Sequence, residues 1–293
     1  MQGRRQEDKP FSSHDTEAHP DCKAPPSQAK ELLRKTEWAH NQLKLKKLAK
    51  FPAEVQIAVA TKVAAGDAHL LNDAVAKVHQ DEFRARPSTI PLEGEDYRLL
   101  VGDFREVGHE IASESAQLII TDTPYETSDL HLFNPLSVFA NRVLKPGGSL
   151  LCMVGQYHLP RILNDLSEAL EYRWTIAALF NGMATFIPNK LVNCSYKPFL
   201  WFVKPPYRGK AIRDVITSGK RDKRFHPHGQ SVDEFAKLIR WFTEGGDTVV
   251  DCFVGGGTTA VAALSEGRRF IGIDLLPKHI ETTRRRIEAV IRK

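Results

Sequence analysis

The chain lacks any apolar run near the ~18 residues that a membrane span requires, and residues 1–7 carry none of the apolar character of a secretory signal. Cysteine is scarce: Cys22, Cys152, Cys194 and Cys252 are scattered through 293 residues with no C-x-x-C pair. That spacing suggests neither a zinc site nor a disulfide framework, and no other metal site is suggested. No lysine follows Gly257, so the glycine cluster near the C-terminus is not a phosphate-cradling P-loop. These absences lead to the expectation of a soluble, cytoplasmic protein with no membrane partner.

What is present begins with charge. The net charge of +5 is a modest pointer to a polyanionic partner. Its distribution says more: residues 204–224 hold eight basic side chains against two acidic ones, a balance of +6 in that segment alone.

Residues 1–29 are polar, with Pro10, Pro20, Pro25 and Pro26 and no apolar period, and read as a disordered tail. Residues 30–90 read as a small helical accessory region and linker. Trp38, Leu45 and Leu48 fall on one helical face, Val55, Val59 and Val63 recur every fourth residue, and Gly66 interrupts before a further helix at 73–79. This unit either packs against the rest of the chain or contacts nucleic acid or a partner. The basic run Lys44, Lys46, Lys47, Lys50 does not decide the matter, because such runs also make ordinary solvated helix faces.

Residues 91–293 read as an α/β domain. Strands are expected at 97–101, 117–121, 149–154, 174–180 and 198–203, with helices ending near Lys145-Pro146-Gly147-Gly148 and spanning 159–170 and 232–243, and a loop at 181–193. The alternation implies a mostly parallel sheet, with ligands gathering at strand ends. The domain is organised around residues 251–259, Asp-Cys-Phe-Val-Gly-Gly-Gly-Thr-Thr, lying between a β-branched strand at 248–250 and a helix beginning at Thr258. Glycines at such a turn let a ligand approach the backbone, and the helix N-terminus offers unpaired N–H groups. A second strand at 269–273 delivers Asp274, whose carboxylate can accept from both hydroxyls of a ribose. The pattern indicates an adenosine-containing cofactor. A nicotinamide dinucleotide would need G-x-G-x-x-G, which Gly255-x-Gly257-Thr258-Thr259-Ala260 meets only loosely.

The stretch resembles motif I of the amino-methylating DNA methyltransferases, D-P-F-x-G-x-G-T-T, with Cys252 in place of the proline. Asp122-Thr123-Pro124-Tyr125 is similar to the family's D-P-P-Y catalytic motif, with Thr123 in place of the first proline. The catalytic motif precedes the cofactor motif, which resembles the permuted β group. The resemblance covers roughly residues 96–291. It implies a Rossmann-like methyltransferase fold: a mixed sheet with helices on both faces, here preceded by the small N-terminal helical unit. It further implies S-adenosyl-L-methionine as cofactor, DNA as partner, and a place in DNA methylation and restriction-modification.

By the same resemblance, Asp251 accepts from the cofactor's methionine amino group, Phe253 packs on its adenine, and Gly255 and Gly257 form the turn. Thr258 or Thr259 bonds the methionine end or caps the helix; Asp274 holds the ribose. Asp103, in a Gly-Asp turn, lies near the adenosine end. His226, in a His-Pro motif whose following residues depart from the family's H-P-x-Q-K-P, is a further contact.

In the catalytic motif, Asp122 accepts one hydrogen of an exocyclic amine and the carbonyl of Thr123 or Pro124 the other. Pro124 fixes the backbone, and Tyr125 stacks on a base flipped out of the duplex. Lys210, Arg213, Lys220, Arg221 and Arg224 are the expected phosphate contacts. In the family that the chain resembles, an Asp-headed motif is more usual for N6 of adenine than for N4 of cytosine, so N6-adenine methylation is the expectation. The alternatives are N4-cytosine methylation and a DNA-binding relative with weakened catalysis. No Pro-Cys nucleophile is present, so a covalent C5-cytosine route is not supported. The recognition segment is short, which leaves three options: low specificity, specificity held by the N-terminal helices, or a homodimer.

Overall fold

The computed structural model describes residues 26–68, 70–71, 74–75, 77–78, 88–124, 126–180, 184–217 and 231–292, and the chain divides into two compact units, 1–82 and 83–293. No helix among the described residues is long and apolar enough to cross a membrane.

The first unit contains helices Ser27–Leu33, Gln42–Leu48 and Ala53–Ala64. They close over Leu33, Trp38, Leu48, Val55, Val59 and Val63. The four-residue valine spacing is thus the buried stripe of one helix. Trp38 differs from expectation, because it is buried in the turn between two helices rather than on a face shared with Leu45 and Leu48. Thr36 is the reason: its hydroxyl donates to the Leu33 carbonyl at 2.8 Å and accepts the Trp38 N–H at 3.2 Å, which ends the first helix. The first helix also starts at Ser27, inside the expected tail. Both ends of the helix expected at 73–79 lie outside the described residues.

The second unit is built on an eight-stranded sheet. Its strands are β1 Tyr97–Val101, β2 Ala116–Asp122, β3 Leu144–Met153, β4 Glu171–Leu179, β7 Tyr196–Val203, β8 Val215–Thr217, β9 Thr248–Asp251 and β10 Arg269–Asp274, while β5 Thr185–Ile187 and β6 Val192–Cys194 form a separate hairpin. The order is β1-β10-β9-β2-β3-β7-β4-β8. All neighbours pair in parallel except around β7, which runs antiparallel to β3 and β4.

Alternation along the strands fills both faces, as the two-residue side-chain period requires. Leu118 and Ile120 point to one face with Leu151, Phe199 and Trp201, under helices Val232–Phe242, Thr258–Ser265 and Pro277–Ile291. Ile119 points to the other with Leu150, Leu200 and Phe202, under helices Phe133–Val143 and Leu159–Ser167. The result is the three-layer, mixed-sheet α/β architecture expected for a Rossmann-like methyltransferase fold.

Three local differences have physical causes. The helix expected to end near Lys145-Pro146-Gly147-Gly148 does so, at Val143, but the stretch itself already belongs to β3, which starts at Leu144 rather than at 149. Gly147 N–H donates to Lys204 O at 2.7 Å and Lys204 N–H to Gly148 O at 3.0 Å, while the β2 pairing slips between Ala116 and Leu118. The segment expected as a loop at 181–193 contains the β5/β6 hairpin. Short β8 lies within the basic segment, where three residues among charges give little strand signal.

Phe199 is fully buried and meets Phe235 edge-on at 5.8 Å. Replacing it by alanine should lower stability by about 3–5 kcal/mol, read as a shifted urea midpoint of the second unit's unfolding.

Candidate active site

Adjacent strands β1, β10, β9 and β2 end at one edge of the sheet, and each delivers an aspartate there. Asp274, Asp251 and Asp122 are the last residues of their strands, and Asp103 follows β1 by two positions. All four line a single cleft of about 590 Å³.

Asp251 is buried beneath the cleft wall, 3% exposed. One carboxylate oxygen accepts from the Thr121 hydroxyl at 2.6 Å and the Phe253 N–H at 3.0 Å, and the other accepts from the Thr259 hydroxyl at 2.6 Å. It therefore ties β2, the turn and the following helix to the end of β9. A carboxylate has about four acceptor positions, so one remains toward the cleft. Burial pushes its pKa up to about 6, against the lowering effect of those three hydrogen bonds.

Asp274 is held in a parallel way. It accepts from Gly255 N–H at 2.8 Å, Leu276 N–H at 2.9 Å and His279 Nδ1 at 3.0 Å, which again leaves one position. Burial raises its pKa, but the His279 ring and the two backbone N–H groups more than offset this and hold the carboxyl below its ordinary value.

The glycines divide their work. Gly255, at φ +49°, lines the cleft and turns its N–H onto Asp274. Gly257 does not line the cleft. It is the N-cap of the helix at φ +77°, and a Cβ there would meet Thr283 Oγ1 at 2.7 Å. Its need for glycine comes from packing on the C-terminal helix rather than from ligand approach. Neither Thr258 nor Thr259 caps this helix. Thr259 is committed to Asp251, while Thr258 accepts from the buried Arg286 at 3.4 Å, whose guanidinium also donates to Gly256 O at 2.5 Å.

At the β1 end, Asp103 caps the short helix Phe104–Val107 and pairs with Arg105, whose guanidinium and N–H hold the carboxyl below its usual range despite partial burial. Phe253 meets Phe104 edge-on at 5.5 Å, and both line the cleft, as do Leu275 and Leu276, respectively 65% and 41% exposed. The cleft therefore has an apolar wall beside its acidic floor.

Thr123 stands where the resemblance leads one to expect a proline, and its side chain anchors the backbone there. It is buried, and both its N–H (3.3 Å) and its hydroxyl (3.1 Å) donate to Met153 O, extending the β2–β3 ladder past Asp122. Asp122 and Pro124 follow suit in lining the cleft. Cys152 and Cys252 are buried nearby, and burial pushes both thiols up, away from nucleophilic character.

Of the basic candidates, the two among the described residues, Lys210 and Arg213, do not line the cleft. Because β7 is reversed, Val203 lies opposite Ser149 at the far edge of the sheet, and Lys210 pairs with Glu244 at 3.1 Å just before β9 begins. Arg213 is exposed on the approach to β8. Tyr125, Lys220, Arg221, Arg224 and His226 lie outside the described residues. β8, however, ends at Thr217 level with Leu179, on the cleft side of the sheet. His279, Thr121, Arg105 and Arg286 were not singled out in the sequence. His279 carries the one legible signal, five residues past Asp274 at a helix start.

Residues 116–285 match the model of the DNA methylase family of N6/N4 type, over half of the chain. The chain belongs to this family. YubD of Escherichia coli (strain K12), named as a methylase, is 38% identical over 212 residues, 67% of this chain and 92% of that one. The Type II methyltransferase M.BglI of Bacillus subtilis is 58% identical over 52 residues, 18% of this chain and only 15% of M.BglI. Among solved structures, the cytosine-N4-specific PvuII DNA methyltransferase superposes with a TM-score of 0.59 at 17% identity, over 68% of this chain and 92% of that one, a likeness of fold. The family match starts at Ala116, the first residue of β2, and so leaves the first unit of this DNA methylase and its strand β1 outside.

The Asp251 environment makes a pH prediction. Its folded pKa of about 6 exceeds the ordinary 3.8, so the folded state favours the protonated acid. The resulting stabilisation is complete below pH ~4 and is lost as pH rises through ~6. Asp251→Asn mimics the neutral form. The stability difference between wild type and variant should change by on the order of 2 kcal/mol in the variant's favour between pH 4.5 and 7.5, measured by denaturant midpoints.

Proposed function

We propose that this chain methylates the exocyclic N6 amine of adenine in DNA, with S-adenosyl-L-methionine as methyl donor. The observation that carries the reading is the convergence of Asp122-Thr123-Pro124, the Gly255 turn, Asp251 and Asp274 on one cleft.

The residues fit the cofactor. Asp274 is kept ionised with one acceptor position toward a ribose hydroxyl, Asp251 keeps one toward an ammonium group, and Phe253, Leu275 and Leu276 offer an apolar wall to a flat ring. When bound, the cofactor supplies a methyl group on a positively charged sulfur. Asp103 lies at the adenosine side of this arrangement, beside Phe104.

Asp122 and the backbone after it then act on the base. An exocyclic amine is a poor nucleophile because its lone pair is delocalised into the ring. Asp122 accepts one amine hydrogen and a carbonyl of Thr123 or Pro124 accepts the other, which favours a pyramidal nitrogen with its lone pair exposed. Thr123, tethered twice to Met153 O, holds those carbonyls in place. Reaching an amine inside a duplex requires the nucleotide to leave the stack. Tyr125 supplies the stacking face, and Lys220, Arg221 and Arg224, which follow the cleft-side end of β8, supply phosphate contacts. His226 adds a cofactor contact. Likeness to a Type II methyltransferase supports a role in restriction-modification within the cytoplasm.

The same pocket serves N4 of cytosine, so product identity is the test. Unmethylated genomic DNA incubated with protein and S-adenosylmethionine should yield N6-methyladenine by nucleoside mass analysis. Asp122→Ala should lower the rate by roughly 10²–10³-fold or more. N4-methylcytosine would move the assignment to the other base, and an unchanged rate in Asp122→Ala would remove the catalytic assignment.

A further inference from the structure

The hairpin between β4 and β7 has a feature that folding does not account for. Its tip residue Leu191 is 81% exposed and sits at φ +54°, a conformation that glycine or asparagine adopts readily and leucine rarely. Phe186 and Val192 beside it are 54% and 49% exposed. A strained backbone that presents an apolar side chain to water gains nothing from burial, and such strain concentrates at functional sites. Asparagine is available two positions earlier, as Asn189.

Position gives the hairpin a direction. It leaves the sheet after Leu179 and returns at Tyr196, which pair with each other at the edge where β2 and β3 end in Asp122 and Met153. The loop after β3 braces it: Gln156 Nε2 donates to Tyr196 O at 3.1 Å, the Tyr157 hydroxyl donates to Asn189 Oδ1, and Lys190 Nζ lies 5.8 Å from the Tyr157 ring centre. The neighbouring His158 ring is 3.2 Å from Thr127 Oγ1, in the segment that follows the catalytic motif. The tip is therefore braced from the same loop that touches the catalytic segment. Its charge suits a polyanion, since residues 180–198 carry Lys190 and Lys197 and no acidic side chain.

We propose that the Lys190-Leu191 tip is a wedge that enters duplex DNA at the rim of the cleft. Lys190 meets a phosphate, and Leu191 fills the stack that the target nucleotide vacates. Apolar side chains inserted between base steps offset the loss of stacking in this way. The inference rests on the DNA-methylating function proposed above, and makes Leu191 a positioning residue rather than a catalytic one.

The test uses full-length protein and an oligonucleotide duplex carrying the site mapped by sequencing its methylated genomic product. In one duplex the target base is paired; in the other it lies opposite an abasic site, where no base pair must be broken and the cost of extruding the nucleotide is lower. Leu191→Asn, which suits the left-handed backbone, should lose roughly tenfold or more in initial rate on the paired duplex and stay within about twofold on the abasic one. Leu191→Phe should keep most of the rate on both, and the melting temperature of Leu191→Asn should be equal or higher. Equal losses on the two duplexes, no loss on either, or an altered sedimentation coefficient in Leu191→Asn, marking a protein contact, would each overturn the wedge. Wild-type protein that methylates neither duplex would overturn the parent function and the wedge with it.

Discussion

The site depends on a carboxylate that the fold has already surrounded. Asp251 accepts from three donors on three elements, and Asp274 on the next strand does the same with a different three. Each aspartate has most of its capacity spent on holding the chain and a remainder open to a ligand. The arrangement links architecture to chemistry: whatever binds at the strand ends completes hydrogen-bonding shells that the protein leaves one short. It also fixes the glycine turn, since Gly255 gives its N–H to Asp274 and Phe253 gives its N–H to Asp251.

The two neighbouring aspartates differ in charge state for reasons visible in their partners. Asp251 is surrounded by neutral donors and pays for burial with a raised pKa, whereas Asp274 has an imidazole beside it and stays ionised. A cationic amino group brought to Asp251 would supply the missing countercharge and draw its pKa down. Asp122, the residue proposed to act on the base, lies near enough to Asp251 for its charge to add to the rise in that carboxyl's pKa. It stands on β2 between Thr121, whose hydroxyl donates to Asp251, and Thr123, which is pinned to β3, so that end of the cleft is braced from both neighbouring strands.

Much of this was legible in the sequence because strand-end chemistry is local. The glycine turn, Asp274 after its strand and Asp122 after β2 were all placed by patterns a few residues long, and the fold class followed from strand–helix alternation. What escaped depends on contacts between distant segments. Arg286 matters through what a helix 30 residues beyond Gly256 brings beneath the glycine turn, whereas His279 is local to Asp274 and reads in the sequence only as a helix-start residue. Gly255 and Gly257 looked alike in the sequence, and only the structure shows that the first lines the cleft while the second packs on Thr283. The basic segment carried no signal of its course: the reversal of β7 starts it at the edge opposite the cleft, and β8 runs back to end level with Leu179. Trp38 was misplaced because a helical period cannot foresee the hydroxyl of Thr36 ending the helix.

The central claim is that different side chains of one cleft serve the cofactor and the base. Calorimetric titration of S-adenosylmethionine into wild type, Asp274→Ala and Asp122→Ala, each with its melting curve recorded, tests it most directly. The account predicts that Asp274→Ala, while still folded, binds at least roughly tenfold more weakly, and that Asp122→Ala binds as wild type does. Undiminished binding by a folded Asp274→Ala, with binding lost in Asp122→Ala, would contradict it.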